Sequence, residues 1–342
     1  MRPTGLLAPF RLHGTSTRAE ATAALFLVLT LAIAGAKLEA SATLWPWARY
    51  LAAGGGVALM LWLATAVRRL HDFGRPGGWA LLSLIPVAGI AAALAIALWP
   101  PRTRKRVQSG PFTLAGAAII LLIGTGAILR LFLVTAVVQD AAMKPTLLPG
   151  DVVLVRYADA GSILRGDVVL VRQPGSGERR ILRVVGLPGD AVQMRAGRLW
   201  LNGAEVAQQA DGSFSEVMAP EGPLRIRPRC YGGPVGDGGL CRTERFRERL
   251  PEGRSHSVLN VEDGGFGDET ESVIVPPDGF FLLGDNRDAS LDSRLAAAAG
   301  GTGIVAGADV VGRVHRVLLS AAGPGLWAFW TWRGSRVAEV VE

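Results

Sequence analysis

The stretch Leu282–Arg294 reads "LLGDNRDASLDSR", and its reading decides the fold of the C-terminal two-thirds of the chain. It follows an apolar run, "GFF", and packs five charged residues, Asp285, Arg287, Asp288, Asp292 and Arg294, into ten positions. Alone, such a stretch is satisfied by a strand that ends in a salt-bridged loop. Three segments upstream change that reading by their order: "AAMKPTLLPGDVVLV" (Ala141–Val155), "RGDVVLVRQP" (Arg165–Pro174) and "RRILRVVGLPGD" (Arg179–Asp190). Each joins a β-branched run to a Gly-Asp turn, and together with "RLWLNGAEV" and "DVVGRVHRVLLS" they predict a mostly-β domain over residues 135–342.

Taken in order, the four segments resemble the bacterial type I signal peptidase (leader peptidase) family, over about residues 130–342. The resemblance implies a membrane-anchored serine endopeptidase that removes signal peptides from exported proteins, with a serine nucleophile and a neutral lysine as general base. Carried over residue by residue, the nucleophile position, before the Met of Met143-Lys144-Pro145-Thr146, is Ala142, and the base position is Leu182, followed by Arg183. A methyl group attacks no carbonyl, and an isobutyl group takes no proton. The family's oxyanion site uses the backbone N–H of residue 142 and a hydroxyl two positions earlier, where this chain has Asp140. Met143, Pro145, Gly284, Asp285, Arg287, Ser290, Asp292 and Arg294 match the family's motifs, Ser290 at the position that steadies the lysine, while Ala289 departs from the usual Asn.

Three functions follow as expectations. The first is a pseudopeptidase that binds the extended part of a signal peptide or preprotein by strand addition. The second is an active peptidase with displaced groups, for which Lys144, Thr146, Ser290 and Ser293 are the candidates, Lys144 being read as exposed and Thr146 as a turn residue. The third is a non-enzymatic membrane assembly partner. A catalytically competent paralogue is a further expected partner. No metal and no cofactor is called for.

Composition adds a membrane. Of 342 residues, 49% are hydrophobic, more than a soluble chain of this size usually carries. Ala21–Ala36, Tyr50–Val67, Trp79–Pro100 and Phe112–Leu129 are uncharged runs of roughly 16 to 22 residues, the length that crosses a hydrocarbon core. Residues 1–130 hold 13 Lys/Arg against three acidic residues, net +10, and the remainder holds 23 against 26, net −3. The excess lies in short loops, Arg68, Arg69 and Arg75, then Arg102, Arg104, Lys105 and Arg106, as expected of cytoplasmic loops and not of a nucleic-acid-binding face. If Trp79–Pro100, broken by Pro86 and Gly89, only dips into the bilayer, both loops lie inside and the β domain outside; four full crossings are the alternative.

The expected architecture is therefore an α-helical transmembrane domain over 1–108, an anchor helix over 109–134 and an extracytoplasmic β domain over 135–342, in the bacterial inner membrane. "RRLHDFGRPGGWALLSLIP" (Arg68–Pro86), after "FRLHGTSTRAE", resembles a small bacterial membrane-domain family of unknown function with an RRLHD motif. His71 beside Asp72 is read as the end of an interfacial helix or as a proton or metal site. Cys230 and Cys241, in a Gly-rich loop and too few for a metal knuckle, are a disulfide candidate outside the cytosol. Trp327, Trp330 and Trp332 near Arg333 and Arg336 fit either a membrane interface or core packing.

Overall fold

A computed structural model describes residues 18–39, 45–72, 75, 77–84, 88–98, 132–173, 176–233 and 235–341. The chain divides into two units, Met1–Phe132 and Leu133–Glu342.

The first unit contains α1 (Arg18–Glu39), α2 (Trp45–Asp72), a 3₁₀ segment (Gly77–Leu84) and α3 (Ala88–Leu98). α1 packs beside α2 at ordinary distance: a Cβ added at Gly54 would meet the Leu31 side chain at 3.7 Å, a normal van der Waals contact. The core joins Trp62, Leu63, Ala66, Val67 and Leu70 of α2 to Ala21, Ala80, Ala93 and Ile96. The second arginine of the RRLHD motif has a structural task here. Arg69 is buried and donates to the carbonyls of Ile96 (3.3 Å) and Ala97 (3.2 Å), the last turn of α3. A cation suits those unpaired carbonyls and the negative end of the helix dipole.

The uncharged runs do not translate one by one into spanning helices. Among the described residues, no helix is long and apolar enough to cross a membrane. Trp79–Pro100 divides between the 3₁₀ segment and α3, whose 11 residues extend ~16 Å at ~1.5 Å per residue, about half a bilayer core. Residues 85–87, Pro86 among them, lie outside the described residues. The expected anchor, Phe112–Leu129, and the basic run Arg102–Arg106 lie outside the described residues.

The second unit is built on a seven-stranded sheet in the order β1-β2-β14-β3-β4-β12-β13. Its strands are β1 (Leu133–Val137), β2 (Asp151–Tyr157), β3 (Val168–Arg172), β4 (Arg179–Gly186), β12 (Gly279–Leu283), β13 (Val305–Ala306) and β14 (Val310–Ser320). A four-stranded sheet holds β5 (Ala191–Arg195), β6 (Arg198–Leu201), β7 (Ala204–Glu205) and β11 (Val273–Ile274); β8 (Ala207–Val217), β9 (Leu240–Arg249) and β10 (Ser255–Asn260) form a third.

Successive residues of β4 face opposite ways. Leu182 and Val184 enter a core with Val169, Val171, Phe280, Leu282 and Val310, while Val185 joins Met194, Leu199, Leu201, Phe281 and Leu283 on the other face. Three strand junctions repeat one device. In Leu148–Asp151, Leu164–Asp167 and Leu187–Asp190, the aspartate accepts the leucine N–H three residues back, at 2.9, 2.9 and 2.6 Å. The intervening glycines take φ of 88, 87 and 88°, which a side chain would strain. Cys230 and Cys241 are bonded to each other, their Cα atoms 5.1 Å apart.

Candidate active site

Ala142 lies in the turn between β1 and β2 and is buried, as are Met143 and Lys144. Its carbonyl accepts the Asn286 N–H at 2.9 Å, and Asn286 Nδ2 donates to the Ala141 carbonyl at 3.2 Å, so this turn is bound to the loop after β12. Gly284 is what permits the approach: a Cβ there would fall 2.6 Å from the Ala142 carbonyl oxygen and inside contact distance of the Ser290 side chain. β12 pairs with β4 through Leu282–Val184 and Leu283–Arg183. One step further along that antiparallel register, Gly284 comes opposite Leu182. The positions assigned to nucleophile, base and lysine-steadying serine thus converge on one face.

Three different states stand there. Leu182 is apolar and 1% exposed. Ser290 is buried, and its Oγ has no hydrogen-bond partner among the described residues. The Ala142 N–H donates to Asp140 Oδ1 at 3.1 Å. Burial raises the Asp140 carboxyl above the usual range, opposed by that N–H and by the Arg180 charge.

The other motif residues form a buried charged frame behind this face. Arg183 grips Asp285 with two hydrogen bonds of 2.8 Å and donates to the Gly166 carbonyl at 2.8 Å, while Thr146 Oγ1 donates to Asp285 Oδ2. Arg287 donates to Glu248 at 2.7 Å, and Arg294 to Asp292 at 2.8 Å. Asp292 also accepts the Gly284 N–H at 3.1 Å, and Ser293 Oγ accepts the Leu282 N–H at 2.9 Å. Pro145 follows a cis peptide bond.

Two expectations are corrected. Lys144 is not exposed: its ammonium is buried and ion-paired with Glu216 and, at 2.9 Å, with Glu221. An extended strand would have put Lys144 on the face of Ala142, but the turn sends it toward β8. Burial raises the Glu216 carboxyl despite the lysine. Thr146 is more than a turn residue, since its hydroxyl holds Asp285. Glu216, Glu221, Glu248 and His256 carry no motif, and the sequence offered no signal for them.

Glu248 supplies an acid-stability prediction. Burial works to raise its carboxyl, but the Arg287 charge and the His256 contact outweigh burial and hold it at about 2. His256 is itself pushed down by burial and by Arg183, so it is neutral at pH 7 and Arg287 is the principal partner. A folded value below the unfolded one gives stability that is complete above pH ~4.5 and lost as pH falls toward 2, roughly 3 kcal/mol in all. In urea unfolding followed from pH 5 to pH 2.5, Glu248→Gln is less stable at pH 5 and shows a shallower acid slope; an unchanged slope removes Glu248 as a cause.

The family model for "Signal peptidase, peptidase S26" matches residues 112–319, and that for "Protein of unknown function (DUF805)" matches residues 10–134. Signal peptidase I of Pseudomonas fluorescens is 28% identical over 287 residues, covering 72% of this chain and 93% of that protein. Signal peptidase I of Pseudomonas aeruginosa is 28% identical over 285 residues, covering 71% and 92%. The match to signal peptidase I of Rickettsia prowazekii, 29% identical, spans 34% of this chain and only 39% of that protein. The S26 match covers well over half of the chain and contains all four motif segments, so the protein belongs to the signal peptidase, peptidase S26 family.

Proposed function

We propose that this family member has lost peptidase chemistry and binds signal peptides or the N-terminal segments of membrane proteins without cutting them. The observation that carries the reading is Ser290: its hydroxyl is buried beside Gly284 and the Ala142 carbonyl with no partner among the described residues. That is the state expected where a lysine amine has been replaced by the Leu182 side chain. Two further observations support it. The Ala142 methyl offers no nucleophile, and the N–H that would receive a developing oxyanion is held by a carboxylate that would repel one.

Binding rests on β1, an edge strand that among the described residues pairs only with β2. Its free row of backbone groups suits an extended peptide added as a further strand. In this reading the uncharged segments of the first 132 residues anchor the chain in the bacterial inner membrane, with the β unit outside the cytoplasm. The aromatic patch is consistent with lipid at that surface, since Trp327, Phe329 and Trp330 are each more than 65% exposed. The basic residues nearby are used inward: Arg336 pairs with Asp151 at 2.7 Å.

A displaced active site has less support. An ammonium held by two carboxylates has no lone pair with which to accept a proton, and Lys144 is so held. The test uses a photoreactive signal peptide with the purified full chain. The expected result is labelling that unlabelled peptide competes away, with no cleaved product by mass spectrometry. Labelling at background overturns binding and favours an assembly role; cleavage that is lost in Lys144→Met overturns inactivity.

A further inference from the structure

The reverse face of the β3–β4 pair carries a cavity of about 360 Å³. Leu182 and its paired neighbour Val169 point away from it, whereas Arg183 and its paired neighbour Val168 line it. Its polar walls come from Asp167, Arg183, Arg254, His256, Arg313 and His315.

The charges do not balance. Arg183 is matched by Asp285. Arg254 and Arg313 share one oxygen of one carboxylate, at 2.6 and 3.6 Å from Asp167 Oδ1. The other oxygen, Oδ2, is taken by the Leu164 N–H at 2.9 Å. Among the described residues, two guanidinium groups therefore face a single negative charge, and most of their N–H donors have no protein partner. His256 adds an independent mark. Its side chain is 2% exposed, and neither ring nitrogen has a hydrogen-bond partner among the described residues. A buried polar nitrogen is normally satisfied, and this residue lines a polar space large enough to hold a small ligand.

We propose that this cavity is a binding site for a phosphate-type oxyanion, held between Arg254 and Arg313 with His256 as the deep polar wall. Planar guanidinium groups with spare donors recognise phosphate oxygens in this way. A bound anion lies next to Arg183, which holds Asp285 and the Gly166 carbonyl. Occupancy is thereby coupled to the loop that carries Ser290.

The test is titration of inorganic phosphate into the full chain in non-ionic detergent, with ionic strength held constant by chloride, read by calorimetry and by the thermal midpoint. Saturable binding is expected. Arg313→Gln, at a position 39% exposed and so tolerant of change, weakens it at least about tenfold; Asp167→Asn, which removes the competing carboxylate, tightens it at least about threefold. If Asp167→Asn does not fold, Arg313→Gln carries the test. A response that chloride reproduces, or that Arg313→Gln leaves unchanged, overturns the site. Competition by dihexanoyl phosphatidylglycerol but not by the phosphatidylcholine analogue identifies a lipid headgroup as the source, and no competition by either identifies a soluble phosphate.

Discussion

On the proposed reading, the triple variant Asp140→Ser, Ala142→Ser, Leu182→Lys is expected to cleave a signal-peptide substrate, and the unaltered protein is expected to release no product. Nucleophile and base act as a unit whose loss typically removes ~10⁶ in rate, so either single restoration, Ala142→Ser or Leu182→Lys, stays inactive. Leu182→Lys alone places an amine in the core of Val169, Val184 and Leu282, and in the proposed site the Ser290 hydroxyl is the group to receive it. That same hydroxyl is the reason to expect the double variant to accept its lysine. The third change frees the N–H of residue 142 from Asp140. Loss of one oxyanion donor is worth ~10²–10³ in rate, so the double variant with Asp140 retained should run about a hundredfold below the triple. The measurement is product formation by mass spectrometry from purified protein with native-like far-UV circular dichroism. A well-folded triple variant that remains inactive would show that the peptide cleft has diverged as well as the reacting groups.

The largest expected stability effect falls on Asp285 and Arg183. Both are about 1–2% exposed and bind each other in a two-pronged pair. Burial tends to raise the Asp285 carboxyl, but the Arg183 charge and its hydrogen bonds outweigh burial and hold it below the usual range. Asp285→Ala strands the Arg183 charge in the interior, a loss of about 3–5 kcal/mol. For a unit of this size, that lowers the thermal midpoint by on the order of 10 °C. Asp285→Leu combined with Arg183→Leu costs far less than the two single changes together, since apolar replacement of a buried pair is often close to neutral. A double variant as unstable as the sum of the singles would show that the pair is not the source. Because Thr146 also bonds Asp285, Asp285→Ala further loosens the turn that carries Ala142, which is readable as faster amide exchange at residues 142–147.

If the chemistry is lost as proposed, these effects explain why the motif survives it. Asp285, Arg287, Asp292 and Arg294 bond partners inside the fold, and removing any one leaves an opposite charge buried. Ala142 and Leu182 have no such partners to strand. The two kinds of position therefore come apart under substitution, and a strong motif coexists with absent reacting groups.

Much of this was legible from residues alone. Four segments in order implied the β unit and its family, and Ala142 and Leu182 stood out because their side chains lack the required atoms whatever their surroundings. Strand positions and the Gly-Asp turns were readable because alternation and the positive φ of glycine are local properties. The uncharged runs were legible as apolar, but composition does not show where a helix breaks, and Trp79–Pro100 divides in two. Direction was the other thing withheld. Whether Lys144 meets solvent, the Ala142 face or Glu216 and Glu221 depends on a turn and on segments roughly 70 residues away, whereas the Ala142 N–H is captured locally, by Asp140 two residues earlier. The residues alone determined which atoms the site lacks; tertiary packing decided what occupies the vacated hydrogen bonds, because burial and partner geometry arise only when distant segments meet.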